Sequence, residues 1–218
     1  MKSSSFFGKT TIPLVFEDEW LVVVNKPPGL LVIPSPKNER RTLTSILNDD
    51  IVSRSIPYRL HPCHRLDKET SGLLIYAKGK SIQEKMMTEF QRHQVKKTYV
   101  AFVQGQLTKR EGVLKMPVEG RDAVTTYKIL ERRKDFNIIQ AKPLTGRTNQ
   151  IRIHFNEIKH PLVGESTYAF RRYFALKAKR LCLHAEALEF THPVTHKHIE
   201  LFVDLPDDMM KFLEKHPD

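Results

Sequence analysis

The chain has 218 residues, 40% hydrophobic and 28% charged, which is enough apolar material for a packed core under a solvated surface. Lysine and arginine exceed aspartate and glutamate by 36 − 25 = 11, an excess that suits a polyanionic partner, because each neutralised phosphate releases counterions. Two cysteines, Cys63 and Cys182, exclude a disulfide framework; no run of residues is apolar enough for a membrane span, and the amino terminus carries no apolar leader, so the expected setting is cytoplasmic.

In chain order, residues 1–10 read as a loose tail and 11–218 as one domain. Gly8-Lys9-Thr10 has the ending of a phosphate loop, but Ser3 stands where that loop needs its first glycine. Trp20 to Val24 is an apolar, β-branched run that predicts a buried strand, ended by the turn chemistry of Lys26-Pro27-Pro28-Gly29. A short helix is expected over 42–48, irregular chain over 54–62, and a second buried strand over 72–77. Ser81 to Glu84 matches a capping box, and Ile82, Met86 and Phe90 then recur at four-residue steps on one helix face.

Strands are expected over 98–103, 123–130 and 136–141, with Arg132 to Asp135 as the polar turn between the last two. Ile151, His154, Phe155 and Ile158 have helical spacing after Thr145-Gly146. A hairpin over 185–191 and 198–203 turns around Pro193, which leaves the histidines from His192 to His198 exposed. Pro206-Asp207-Asp208 opens a final helix, with proline at its first position. Strands and helices mix without βαβ alternation. The fold class is therefore α+β, a single domain with a mixed, largely antiparallel central sheet and flanking helices.

Three segments carry chemistry. In His64-Arg65-Leu66-Asp67-Lys68-Glu69-Thr70-Ser71-Gly72 a carboxylate sits near an arginine on a loop, where it stays ionised and can act as nucleophile or general base. Taken by itself, the segment reads first as an ordinary surface ion pair of Arg65 and Asp67. In Gly146 to His154, a helical reading puts Arg147 and Ile151 on one face, with the arginine placed to pair with a carboxylate or a phosphate. In Lys96-Lys97-Thr98-Tyr99, the tyrosine offers a stacking surface and a hydroxyl, or simply a core aromatic.

Together these blocks resemble the RluA-like family of RNA pseudouridine synthases. His64-Arg65-Leu66-Asp67, a spacer, and Thr70-Ser71-Gly72 with an apolar strand are similar to that family's main signature. Glu17 to Leu30, Gly146 to His154, His160 to Gly164 and Arg180 to Ala185 are similar to its other blocks, in the same order. Asn149 stands where the family commonly has histidine, and no separate RNA-binding module of the S4 type precedes the catalytic domain.

The resemblance implies isomerisation of uridine to pseudouridine in ribosomal RNA, transfer RNA or both, in a cleft across the sheet, without metal or other cofactor. It implies Asp67 as nucleophile, Tyr99 stacking on the flipped base and helping to remove the C5 proton, and Arg147 keeping Asp67 ionised. Arg65 would contact the RNA and Ile151 would wall the base pocket, while His64, Leu66, Thr70, Ser71 and Gly72 support the loop. Lys96, Lys97, Arg171 and Arg172 are the expected RNA contacts, with Tyr173, Phe174, Lys177, Lys179 and Arg180 extending the last cluster. A compact stem-loop is the expected substrate, and no obligatory protein partner is inferred.

Three rivals have distinct signatures. A non-catalytic RNA-binding protein shares the charge and the aromatics but has no use for Asp67, Tyr99 and Arg147 together. A metal-dependent hydrolase is suggested by His61, His64, His192, His196 and His198, yet no matching cysteine or acid set accompanies them. A serine nucleophile lacks the Gly-x-Ser-x-Gly elbow around Ser71.

Overall fold

The structure, a computed structural model, describes residues 7–36, 39–169, 176 and 178–217. Among these residues the fold is α+β, with ten strands and four helices and a largely antiparallel sheet. The residues gather into two compact units, 1–95 with 187–203 and 96–186 with 204–218. Each unit is assembled from two separated stretches, so no linker marks the division and none is visible in the sequence.

In the first unit β1 (Leu14–Glu17), β2 (Leu21–Lys26) and β4 (Ser71–Lys78) pair in that order, and β3 (Leu60–Pro62) also pairs with β4. Thus the expected irregular stretch 54–62 ends in a short strand. Strands β2 and β4 are buried on both faces, hence their unbroken apolar runs. Helix α2 (Lys80–Gln91) packs Met86 into the core, with Ile82 and Phe90 against it. The expected capping box does not form: the helix begins one residue before Ser81, and the cap position is Gly79, whose φ of 105° needs no side-chain bond to turn the chain.

Helix α1 (Leu43–Ser53) outlasts its expected end at residue 48. Thr42 and Ser45 cap each other's backbone at its start, and buried Asp50 accepts from Lys9 N and pairs with Arg54 at its end. That carboxylate also corrects the loose-tail reading for residues 7–10. Phe7 is buried, and Gly8 (φ 52°) passes so close to Asp50 that a Cβ there would lie 1.9 Å from Oδ2.

Strand β9 (Leu183–Thr191) and β10 (His198–Phe202) form the expected hairpin. Its turn differs from expectation at His192, which is buried. The ring accepts from Val194 N and Thr195 N at Nδ1, and Nε2 lies 3.0 Å from Asp18 Oδ2. A histidine that organises its own turn cannot project into solvent, although His196 and His198 do.

In the second unit the order is β5 (Lys96–Gln104), β8 (Phe136–Pro143), β7 (Val124–Arg132), β6 (Glu111–Lys115). Strand β6 had no counterpart in the sequence reading, and β7 runs to Arg132, shortening the polar turn. Helix α3 (Gln150–Glu157) packs on β7 and β8. In α4 (Asp207–Lys215), Met209 and Phe212 pack with Val100, Phe102, Phe136 and Ile138, and Pro206 is its N-cap rather than its first residue.

Candidate active site

Asp67 lies half-buried on the irregular segment between β3 and β4, with Arg65 exposed beside it. The segment is fixed by backbone groups that regular structure leaves over. Cys63 N donates to Ile75 O at 2.9 Å, and His64 Nε2 accepts from Ile75 N at 3.1 Å while its ring sits 4.9 Å from that of Phe90. Thr70 N donates to the Asp67 carbonyl at 3.1 Å. Leu66, Thr70 and Ser71 are buried, and Gly72 has a φ of 116°.

The firmest tie comes from Lys26, which is fully buried. Its Nζ donates to the carbonyls of Pro27 (2.9 Å), Leu30 (2.7 Å) and Lys68 (3.0 Å), and Gly29 N donates to the same Lys68 carbonyl at 2.8 Å. A buried ammonium must be solvated by the protein, and these carbonyls do so. The residue directly after Asp67 is thereby anchored to the turn 27–30.

Tyr99, Arg147, Ile151, Lys96 and Lys97 belong to the second unit. Tyr99 is largely buried on β5, opposite Ala141. Lys96 is exposed and Lys97 half-buried. Arg147 precedes α3 instead of lying on it, so the expected shared helical face with Ile151 does not exist; Arg147 Nε donates to the Asp122 carbonyl, and Ile151 is buried in the first turn.

The turn that carries Arg147 is built on Gln150. Its Oε1 accepts from Thr145 Oγ1 (2.6 Å) and Arg147 N (3.1 Å), and its Nε2 donates to Val124 O and Thr125 Oγ1, both at 2.9 Å. One buried amide therefore welds the turn to β7.

Asn149 occupies the left-handed region (φ 55°), a conformation asparagine tolerates better than most residues. Its amide donates to Tyr168 Oη and its carbonyl oxygen accepts from Arg152 Nη1, both at 2.8 Å. Arg152 in turn makes two 2.8 Å bonds to buried Glu165. Burial disfavours the Glu165 carboxylate, but Arg152 and the N–H groups of Thr167 and Tyr168 outweigh it and hold the pKa below the ordinary value.

Of the basic clusters, Arg171, Arg172, Tyr173, Phe174 and Lys177 lie outside the described residues. Arg180, expected to face RNA, turns inward instead: it pairs through Nε and Nη2 with Asp208 and donates through Nη1 to the Leu181 carbonyl. Its own carbonyl faces Gly164 (φ 83°), where a Cβ would come within 2.0 Å. Arg132 is likewise engaged, with the Leu107 carbonyl at 2.8 Å.

Lys26, Gln150, Arg152 and Glu165 were given no individual roles in the sequence reading. The signal for Lys26 was its place before Pro27-Pro28-Gly29; for the others, nothing local distinguished a buried polar residue from a surface one. Among the described residues, Glu189, His198 and Glu200 form a group of possible metal ligands on the β9–β10 hairpin, with His198 Nε2 3.1 Å from Glu200 Oε1. The expectation that no acids accompany the histidines is thus corrected, though His198 and Glu200 are exposed.

Comparison with known proteins adds the following. A family model described as RNA pseudouridylate synthase matches residues 20–157. The dual-specificity RNA pseudouridine synthase RluA of Vibrio cholerae is 34% identical over 88% of this chain and 82% of its own. The uncharacterized RNA pseudouridine synthase YlyB of Bacillus subtilis is 33% identical over 93% of this chain and 72% of its own. The solved structure of human RNA pseudouridylate synthase domain containing 4 has the same fold, with a TM-score of 0.78 at 24% identity over 93% of this chain and 92% of that one.

Proposed function

From the premise that this chain belongs to the RNA pseudouridylate synthase family and is an RluA-like RNA pseudouridine synthase, we propose that Asp67 is its nucleophile and a uridine in a ribosomal or transfer RNA stem-loop its substrate. The observation that carries this reading is that the family match covers 20–157, a span that includes Asp67, Tyr99, Arg147 and Ile151. Support for the RNA class comes from relatives named dual-specificity RNA and ribosomal large subunit pseudouridine synthases. The fit to a reducing, cytoplasmic setting rests on two buried, free cysteines.

In the proposed reaction the N1–C1′ bond of uridine breaks, the base turns, and a C5–C1′ bond forms. The proton leaves C5 and N1 regains one, so atoms and electrons balance without a redox partner or metal. The target base is flipped out to be reached. Tyr99 stacks on it and assists removal of the C5 proton, Ile151 supplies an apolar wall, and Arg147 keeps the nucleophile ionised. Arg65, Lys96, Lys97, Arg171 and Arg172 contact the RNA. His64, Leu66, Thr70, Ser71 and Gly72, with Lys26, hold the loop that presents Asp67.

The test is incubation of purified protein with unmodified RNA from its source, with chelator present, followed by mapping of pseudouridine at nucleotide resolution. Wild type should introduce a discrete new site and Asp67→Asn none, while RNA binding survives the substitution. Turnover by Asp67→Asn would refute the nucleophile assignment. RNA binding without product from wild type would favour a binding module.

A further inference from the structure

The ammonium of Lys97 is held in an unusual state. The residue is half-buried on β5, and burial pushes its pKa down with no compensating charge. Among the described residues Lys97 has neither an ion-pair nor a side-chain hydrogen-bond partner. A lysine normally carries its charged end to water along its flexible stem. Keeping it covered and unpaired costs stability, and such a cost persists where an arriving ligand repays it. Lys26, a fully buried lysine of the first unit, shows the contrast, since carbonyls surround its charge.

Position identifies the ligand. Lys97 and Tyr99 are two residues apart on one strand, so they face the same side, about 6.6 Å apart along the backbone. That step matches the span from a nucleotide's base to its own phosphate. On the other side Lys97 Nζ lies 3.6 Å from where a side chain at Gly146 would begin, and Gly146 is itself exposed. The missing side chain leaves the ammonium approachable beside the turn that carries Arg147.

We propose that Lys97 is an anion subsite that takes the phosphate of the target nucleotide itself, with the base lying toward Tyr99. This deepens the uridine-isomerase reading and rests on it for the identity of the base. Lys97 differs in this from its neighbour Lys96, which is exposed.

The probes are uridine, uridine 5′-monophosphate and uridine 3′-monophosphate, titrated against wild type, Lys97→Met and Lys97→Arg of the full chain. Wild type should bind one monophosphate roughly tenfold tighter than uridine, a size suited to one charge-assisted contact. Lys97→Met should erase that preference without weakening uridine itself, and Lys97→Arg should retain most of it.

The unliganded Lys97→Met protein should also melt roughly 2–4 °C higher than wild type, because an unpaired covered charge is gone. A phosphate preference unchanged in Lys97→Met would overturn the proposal. So would a fall in its melting temperature, which would mark a merely structural lysine. Absence of pseudouridine in RNA treated with wild type would count against the isomerase reading instead, and leaves the nucleotide titration as it stands.

Discussion

Lys26 Nζ and Gly29 N converge on a single acceptor, the carbonyl of Lys68, at 3.0 and 2.8 Å, and so fix the peptide that follows Asp67. Lys26→Met keeps the length and apolar stem but strips its bonds from three carbonyls. A buried acceptor left without a donor costs about 1–3 kcal/mol. The expected result is a lower denaturation midpoint together with a rate of product formation reduced at least about tenfold, because small displacements of a reacting group are costly. RNA affinity should change less than twofold. A variant as active as wild type would show that the Asp67 loop holds itself.

Glu165 sets an acid limit on stability. Its pKa is held below the ordinary 4.5 by Arg152 and backbone donors, despite burial. A depressed carboxylate contributes stability that is fully present above its unfolded value and is lost as pH falls through the folded value. Wild type should therefore lose stability below about pH 4.5 more steeply than Glu165→Gln. At neutral pH the variant should be less stable by about 3 kcal/mol, the scale for breaking a buried ion pair. Thermal melts across pH check both, and parallel acid limbs would remove Glu165 as the cause. Asp208, also depressed by its bonds from Arg180, adds a common acid loss in both proteins.

Asn149 has two separable contributions, its left-handed backbone and its bonds to Tyr168 and Arg152. Asn149→Gly keeps the first and loses the second, and should cost about 1 kcal/mol. Asn149→Val loses both and adds strain of about 1–3 kcal/mol. Denaturant midpoints should rank wild type, glycine, valine. If glycine and valine coincide, backbone strain plays no part.

Burial raises the thiol pKa of Cys63 and Cys182 to about 12 in each case. Reactivity follows the thiolate, so a neutral thiol reagent at pH 8 should modify neither cysteine in the folded protein. Both should react once denaturant is added. Rapid labelling of either thiol under native conditions would show that its covering opens readily.

The two buried strands β2 and β4 were legible as apolar runs, and α2 as a four-residue stripe, because single elements imprint their own period. The family was legible because the residues around Asp67 form a dense, ordered signature. Strand β6 was not, since its alternation of exposed Glu111, Val113 and Lys115 with half-buried Gly112 and Leu114 resembles a loop. The positions of Arg180 and His192 were misjudged for one reason. A polar side chain looks the same in sequence whether it meets water or a protein partner, and the partners Asp208 and Asp18 lie 28 and 174 residues away. Buried polar anchors such as Lys26 and Glu165 escape local pattern altogether.

The interleaving of the two units has a consequence for how the chain is made. The core of the first unit includes Leu188 and Phe190 and is packed by Ile199, Leu201 and Val203, although the rest of that unit ends at Val95. At about 5–20 residues per second a ribosome needs roughly 5–20 s to supply the missing hairpin. Through that interval β2 and β4 wait with part of their apolar surface uncovered, which makes the nascent chain a natural client for a holding chaperone.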